Sequence, residues 1–265
     1  MRIGVFDSGV GGLTVLRALL RRVPADFIYL GDTARLPYGA KSRETVGRYA
    51  VSSAKFLVEE QGSEFLVIAC NTASALALDA IRDAVTVPVL GVVETGANAA
   101  DASSTTRDVL VVATAATVAS HAYAAACAER KLRAIEKACP LLVPLVEEGW
   151  IEHPVTAEVL RIYMAELMEQ ARGAALDADT LVLGCTHYPL LRAQIEKAVP
   201  ETLRVIDSAE VTADQVATRL GVSGDGSETT TAAFFATDSV TKFRAPGSRF
   251  LGQEIDAVRL VDLGG

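Results

Sequence analysis

Short apolar runs alternate along the chain with longer stretches in which apolar residues recur at helical spacing. Most of the runs are almost wholly apolar, which is typical of strands buried on both faces of a parallel sheet. An alternation of such strands with helices predicts an α/β fold with mostly parallel sheets flanked by helices. The predicted strands span residues 3–6, 27–30, 65–69, 87–92, 109–113, 141–143, 181–183 and 203–206.

The clearest helical patterns cover residues 43–60 and 155–172. Ser42 stands directly before the first of them and is a suitable N-cap, because its hydroxyl can accept a hydrogen bond from the first helical turn. The end of the chain is looser. Residues 221–230 are rich in Gly and Ser and predict a loop, while residues 232–240 and 257–263 predict closing strands.

Two segments repeat one plan: "EFLVIACNTAS" and "TLVLGCTHYPL" each give an apolar strand, a cysteine and then polar groups. The repeat predicts two pseudo-symmetric lobes, one with Cys70 and one with Cys185. We expect the first lobe to contain residues 1–96 and about 208–265, and the second about 97–207. Ligands of open α/β sheets bind beyond the carboxyl ends of strands, so both thiols are expected in a cleft between the lobes.

Composition and charge limit the kinds of partner and the cellular location that this chain is expected to have. The net charge of −8 opposes nucleic acid as a partner, and the nearest basic runs, 17–22 and 130–133, have the spacing of solvated helix faces. No apolar run approaches the roughly 18 residues of a membrane span, and the first residues lack the pattern of a signal peptide. A cytoplasmic protein with reduced thiols is therefore expected. Widely spaced cysteines then predict neither a disulfide framework nor a metal site.

The two strand-end cysteines are the strongest chemical signal. A helix is predicted directly after Cys70, and the positive end of a helix dipole favours a thiolate. Cys185 has His187 two residues away, and an imidazolium can lower a thiol pKa or relay a proton. Cys127, Cys139, His121 and His153 have no such setting and are expected to be packed or exposed without a chemical role.

Inverting a stereocentre needs one base that removes a proton and an acid that returns it on the opposite face, so two like groups can serve both directions. The α-hydrogen of an amino acid is far less acidic than a thiol, so such a site must hold the thiolate dry and stabilise the carbanion. Pyridoxal phosphate is the usual cofactor for this task. None of the lysines follows a buried strand as a Schiff-base lysine would, which opposes that cofactor.

The segment "GVFDSGVGGLTVL" leaves an alternative open. Gly9 and Gly11 nearly match a dinucleotide-binding loop, and Asp32 lies about where a ribose-binding acid is expected. The third glycine is absent, however, and Asp7 would repel a pyrophosphate at the end of the strand. An acid there suits a substrate ammonium group and a nearby thiol better.

An acidic protein can bind an anionic amino acid through hydroxyls and backbone N–H groups at helix N-termini. Turns of this kind contain Ser8, Asn71, Thr72, Thr114, Thr117 and Thr186. A turn with Pro37 also precedes a predicted helix, and its Gly39 would let backbone approach a ligand, whereas Tyr38 suits either a core position or the site.

Taken together, these motifs resemble the glutamate racemase family of the aspartate/glutamate racemase superfamily. The resemblance runs over nearly the whole chain, in "GVFDSGVGGLTVL", "YLGDTARLPYGAKS", "ACNTASA", "PVLGVVE", "PLVEEGW", "LVLGCTHYPLL" and "FLG". The "DTARLPYG" stretch is the part that points to the glutamate branch.

The resemblance implies an isomerase that works without a cofactor or metal and supplies D-glutamate for peptidoglycan. By position, Cys70 and Cys185 match the acid/base cysteines, with Cys70 serving the D-enantiomer and Cys185 the L-enantiomer. Asp7 matches the group that assists Cys70, His187 matches the group that assists Cys185, and Glu147 matches a further acidic residue of the site. The substrate-binding positions implied are Asp7, Ser8, Tyr38, Gly39, Asn71, Thr72, Thr186 and His187.

Two functions of other classes stay open at this point. A dinucleotide-dependent oxidoreductase would bind NAD(P)H, and a two-lobed binding module would hold an amino acid without turning it over. A homodimer is a further open alternative, because two-lobed α/β enzymes often dimerise and no sequence patch decides the matter.

Overall fold

The computed structural model describes residues 1–222 and 230–264. Most of the loop predicted at 221–230 therefore lies outside the described residues. The chain divides into two compact units, the first formed by Met1–Val92 and Ala209–Gly265 and the second by Val93–Ser208.

The first unit has a six-stranded sheet in the order β10-β9-β2-β1-β3-β4, and the strand pairs are parallel. The central strands are buried on both faces, as their unbroken apolar sequences require. The strands are β1 Arg2–Asp7, β2 Asp26–Gly31, β3 Phe65–Ile68, β4 Val89–Gly91, β9 Thr231–Ala236 and β10 Arg259–Leu260.

The second unit has a four-stranded parallel sheet in the order β6-β5-β7-β8. Its buried centre consists of β5 and β7, whereas β6 is a partly exposed edge strand. The strands are β5 Asp108–Ala113, β6 Arg133–Ala138, β7 Thr180–Gly184 and β8 Arg204–Asp207. The predicted fold class of parallel sheets flanked by helices is confirmed in both units.

Helices connect the strands, as parallel pairing demands. They are α1 Leu13–Arg22, α2 Arg43–Lys55, α3 Asn71–Ala84, α4 Val92–Ser103, α5 Ala115–Ser120, α6 Ala122–Glu129, α7 Leu142–Glu147, α8 Pro154–Gly173, α9 Arg192–Ala198, α10 Ser208–Leu220 and α11 Val240–Leu251. The predicted cap is confirmed, because the Ser42 side chain accepts a hydrogen bond from the N–H of Thr45. A π-helical turn, Phe56–Glu60, extends α2 to the predicted end of that helix.

Two predictions about the second unit are wrong. Residues 141–143 were expected to form a strand, but they lie at the start of α7. The strand is β6 instead, whose sequence RAIEKA has too few apolar residues to be recognised, because an edge strand needs no apolar run. The basic run 130–133 is therefore not one helix face, since Arg133 begins this strand.

Smaller differences concern element ends. The strand expected at 87–92 is only Val89–Gly91, because α4 already begins at Val92. The last predicted strand, 257–263, is reduced to Arg259–Leu260. Within the described residues, the apolar length that a helix would need to cross a membrane is not found.

Candidate active site

Cys70 lies where the sequence placed it, between β3 and α3 in the first unit. The N–H of Ala69 donates to Phe6 O at 2.8 Å, which keeps this end of β3 beside the end of β1. Cys70 is the N-cap of α3, and its Sγ accepts a hydrogen bond from the N–H of Ala73 at 3.4 Å. The thiol is therefore held at the carboxyl edge of the sheet with only 5% of the residue exposed.

Asp7 and Ser8 lie next to this thiol because β1 ends at Asp7. Cys70 Sγ is 3.4 Å from Ser8 Oγ, and the N–H of Gly9 donates to Asp7 Oδ2 at 3.0 Å. Burial and then the negative charge of Asp7 raise the pKa of Cys70 to about 12, although hydrogen bonds with Ser8 and Ala73 oppose the shift. The Cys70 thiol is thus neutral at physiological pH.

This state differs from the sequence expectation that the dipole of α3 would favour a thiolate. The helix N-terminus does contribute, since the Ala73 N–H bond lowers the pKa of Cys70. Desolvation and the neighbouring carboxylate are larger, so the dipole does not decide the protonation state. An anion beside a buried thiol stabilises the protonated form.

Asn71 and Thr72 follow Cys70 in the first turn of α3, and both are buried. Tyr38 is 1% exposed, and its ring packs near Phe6 and Tyr49. Its hydroxyl donates to Asp32. Tyr38 is thus a core residue whose side chain is already engaged, so only its backbone remains for a ligand, together with the partly exposed Gly39.

The residues that suggested a dinucleotide site have other uses. Asp32 is completely buried and accepts hydrogen bonds from Arg35 Nε at 2.8 Å and from Thr237 Oγ1 at 2.9 Å. A Cβ at Gly12 would lie 2.6 Å from Asp7 Cβ. Asp32 is therefore not available to a ribose, and Gly12 is small because the turn packs against Asp7. The geometry opposes the dinucleotide alternative.

Cys185 directly follows β7 in the second unit and is 4% exposed. Its Sγ is 4.0 Å from His187 Nδ1, and His187 Nε2 is 3.0 Å from Glu147 Oε1. Burial lowers the pKa of His187, but the hydrogen bonds and charges of Cys185 and Glu147 outweigh burial and raise it to about 10. His187 is thus an imidazolium at neutral pH, between the thiol and the carboxylate.

The remaining predicted residues of this unit lie at the same sheet edge. Ala113 pairs with Gly184 in the parallel register, so Thr114 and Cys185 are the residues that directly follow two adjacent strands. Thr114 caps α5, with its Oγ1 2.9 Å from Thr117 Oγ1. Thr186 Oγ1 is 3.4 Å from His187 Nδ1. The second unit therefore places Cys185, Thr186, His187 and Glu147 together, beside the Thr114 turn.

Four residues were expected to be packed or exposed, and the structure places them in such positions: Cys127, Cys139, His121 and His153. Cys127 and Cys139 are buried. The His121 side chain is 78% exposed near Glu136, and His153 caps α8 beside Trp150. In the described ranges, 1–222 and 230–264, no group of three or more His, Cys, Asp and Glu side chains could hold a metal ion.

Sequence reasoning missed two buried tyrosines. Tyr29 Oη donates to Gly9 O at 2.9 Å and lies 3.5 Å from Asp7 Oδ2. Tyr188 Oη contacts Ala113 O and Cys139 O. For Tyr29 the available signal was a tyrosine in an otherwise apolar strand, since a buried hydroxyl needs a hydrogen-bond partner, whereas Tyr188 had no such signal.

Comparisons with known proteins agree with these motifs. The Asp/Glu/Hydantoin racemase family matches residues 3–216. A glutamate racemase of Koribacter versatilis is 52% identical, over 99% of this chain and 98% of that protein.

Solved structures give the same result. A glutamate racemase isoform from Bacillus anthracis superposes with a TM-score of 0.90 at 37% identity, covering 98% of this chain and 97% of that one. The glutamate racemase from Francisella tularensis, solved in complex with D-glutamate, gives 0.88 at 33% identity, covering 99% and 97%. This chain therefore belongs to the glutamate racemase family, within the Asp/Glu/Hydantoin racemases, and is an isomerase.

Proposed function

We propose that the chain interconverts L-glutamate and D-glutamate without a cofactor, by proton transfer at the α-carbon between the Cys70 and Cys185 thiols. The observation that carries the proposal is that, in each unit, a buried cysteine at the carboxyl edge of the parallel sheet lies beside polar or ionisable groups that the sequence motifs share. Each of these cysteines has its own ionisable neighbour, Asp7 for Cys70 and His187 for Cys185. Glutamate is the substrate because it is the substrate named for the relatives at high identity and coverage.

In this proposal one thiolate removes the α-proton and the other thiol delivers a proton to the opposite face of the carbanion. The two cysteines exchange roles when the reaction runs backward. Cys70 acts on D-glutamate with Asp7, and Cys185 acts on L-glutamate with His187 and Glu147. This assignment of hands comes from the resemblance. Burial of both thiols keeps water from the reacting sulfur atoms, which the chemistry needs.

The protonation states suggest how the site becomes active. Cys70 is held neutral mainly by burial and by the charge of Asp7. A substrate ammonium group beside Asp7 would offset that charge and favour the Cys70 thiolate. The imidazolium of His187 is the proton carrier on the other side, kept protonated by Glu147 and Cys185. The groups beside the two thiols therefore differ in charge: a carboxylate lies near Cys70 and an imidazolium near Cys185.

Substrate contacts are proposed for residues that lie at these strand ends. The hydroxyl of Ser8 and the buried first turn of α3, with Asn71 and Thr72, serve the Cys70 side. The backbone of Tyr38 and Gly39 adds to it. Thr186 and the capping turn of Thr114 and Thr117 serve the Cys185 side. Both groups combine hydroxyls with helix N-termini, which suit carboxylates.

The family assignment gives the product and its use. The chain makes D-glutamate in the cytoplasm, for peptidoglycan synthesis.

We include a homodimer in the proposal, on the general tendency of two-lobed α/β enzymes to dimerise. Sedimentation of the purified chain measures this directly, and a single species at the monomer mass would contradict it.

The optical rotation of L-glutamate, followed over time with the purified chain and no added cofactor, tests the function. We expect the rotation to decay to zero, because the two enantiomers are equally stable. Parallel reactions with L-aspartate and L-alanine test the substrate, and a Cys70→Ala/Cys185→Ala double variant is the control. A flat trace with every amino acid would favour a binding module, and a trace that needs pyridoxal phosphate would contradict the cofactor-free chemistry.

A further inference from the structure

Tyr188 directly follows His187 and is completely buried in the second unit. Its hydroxyl lies 3.2 Å from Ala113 O and 3.0 Å from Cys139 O. Burial and the nearby thiols raise the pKa of Tyr188 well above its usual value, so the hydroxyl keeps its proton and acts as a donor to the two carbonyls. These contacts do not belong to the sheet ladders.

The two carbonyls belong to strand ends that lead to site residues. Ala113 is the last residue of β5 and precedes Thr114, whereas Cys139 follows β6 and precedes the helix α7 that ends at Glu147. Tyr188 itself begins the 3₁₀ turn after Cys185 and His187. One hydroxyl thus joins the three segments that contain Cys185, His187, Glu147 and Thr114.

This connection matters because the two partners of the ion pair lie on segments beyond the strand ends, α7 and the turn that follows β7. His187 Nε2 and Glu147 Oε1 are 3.0 Å apart, yet Glu147 is on α7 and its side chain is 46% exposed. An exposed carboxylate is weakly held by its charge alone. The backbone must fix α7 relative to the His187 turn, and the Tyr188 hydroxyl contacts the end of the strand from which α7 is reached.

We infer that Tyr188 is a positioning residue, whose hydroxyl fixes the backbone on which Cys185, His187 and Glu147 act on the L-enantiomer. The inference rests on the proposed two-thiol function. Tyr188 itself is not assigned a proton-transfer role. Its effect on the reaction passes through the geometry of the other three side chains, and catalysis is sensitive to displacements of that kind.

Isotope effects provide the test, because L- and D-glutamate have equal free energies and every variant must have the same kcat/KM in both directions. If proton transfer between the substrate and Cys185 becomes slower, this single step limits the overall rate. The deuterium isotope effect measured with α-deuterated L-glutamate then rises, and that with α-deuterated D-glutamate falls. Isotope effects do not depend on the amount of active enzyme, so a merely destabilised variant leaves them unchanged.

In Tyr188→Phe we expect kcat/KM to fall about tenfold, the size of one or two lost buried hydrogen bonds. The isotope effect measured with α-deuterated L-glutamate should rise, and the isotope effect measured with α-deuterated D-glutamate should fall. Thr180→Val is the matched control, because it removes a buried hydroxyl, bonded to Asp179, at the opposite end of the same strand β7. This control should keep both wild-type isotope effects.

Wild-type isotope effects in Tyr188→Phe would overturn the inference, as would an equal change in both. A Tyr188→Phe chain that does not fold would also overturn it, since a role confined to positioning the strand ends predicts a folded chain by circular dichroism. Failure of the underlying function is distinguishable, because the wild-type protein would then show no racemisation at all.

Discussion

The surroundings of Cys70 and Cys185 differ in the charge next to the sulfur atom. Cys70 has the carboxylate of Asp7, the hydroxyl of Ser8 and a helix N–H beside it. Cys185 has the His187 imidazole, which in turn contacts Glu147. The strands that precede the two thiols are similar in sequence, but the ionisable groups beside the thiols are of opposite charge.

In the proposed mechanism the two reacting groups are alike, both being thiols, whereas the groups beside them differ in charge. Asp7 favours the neutral Cys70 thiol, and its influence is relieved by a cation. The His187–Glu147 pair instead holds a proton near Cys185 at neutral pH. Each thiol should therefore be disabled by different substitutions, with consequences that differ between the two enantiomers.

Removing either thiol gives the largest expected effect. Cys70→Ala and Cys185→Ala should each lower the racemisation rate by about 10⁴-fold, because an acid or base positioned at the reacting atom is lost. The remaining cysteine still exchanges the α-hydrogen with solvent. In deuterium oxide, NMR should show exchange of L-glutamate only in Cys70→Ala and of D-glutamate only in Cys185→Ala.

The matched control for these variants is Cys127→Ala, which removes a buried cysteine from α6 and should keep the wild-type rate. Exchange of the same enantiomer in both single variants would contradict the assignment of hands. Full racemisation by either variant would contradict the two-thiol mechanism itself.

Changing the neighbour of each thiol gives the next largest effect. Asp7→Asn and His187→Asn should each lower kcat/KM by about 10²-fold while leaving both thiols in place. Asp7→Asn slows the transfer at Cys70, so the isotope effect with α-deuterated D-glutamate should rise and that with L-glutamate should fall. His187→Asn should give the opposite pattern.

Opposite isotope-effect patterns in these two variants would show that Asp7 and His187 serve different proton transfers. Asp26→Asn is a suitable control for Asp7→Asn. Asp26 is an exposed acid at the amino end of β2, at the edge of the sheet opposite to Asp7, and it accepts a hydrogen bond from Thr231. It should leave both isotope effects unchanged. Identical changes in Asp7→Asn and His187→Asn would mean that the two neighbours do not serve separate transfers.

The sequence contained much of this site, because the signals were local. Each cysteine follows an apolar strand, and parallel strands bring their carboxyl ends to one edge. The contact of Cys70 with Ser8 and the position of Thr114 at the same sheet edge as Cys185 could therefore be expected. The same reasoning placed α3 and the cap at Ser42. The spacing of apolar residues and the capping of a helix depend on only a few neighbouring residues, so both can be predicted from the sequence.

Other features depended on distant residues. The pKa of Cys70 is set mainly by burial and by the charge of Asp7, which sequence spacing does not quantify, so the helix-dipole argument gave only one of the smaller contributions to that pKa. The edge strand β6 lacks an apolar run, and its charged sequence hid it. The hydroxyls of Tyr29 and Tyr188 are bonded to carbonyls that only the folded sheet brings near them.

Glu147→Gln should have the smallest effect, because it removes a charge but keeps the side-chain length and the thiols. We expect kcat/KM to fall about tenfold near neutral pH, as for the loss of one hydrogen bond to a charged group. Glu147 is one of the groups that raise the pKa of His187 to about 10. Its loss lowers that pKa, so the alkaline limb of the kcat/KM profile should move to lower pH.

The same change alters stability in a defined direction. Because the folded-state pKa of His187 is raised above the ordinary value of 6.5, the imidazolium contributes stability that is fully present below about pH 6.5 and is lost as the pH rises through about 10. Glu147→Gln should therefore show a smaller fall in the free energy of unfolding over that range, measured by urea denaturation. Glu148→Gln is the control, since Glu148 is the exposed next residue of the same turn and has no contact with His187 among the described hydrogen bonds. An alkaline limb that stays in place in Glu147→Gln would show that the carboxylate does not hold the proton on His187, and the asymmetry between the two thiols would then rest on His187 alone.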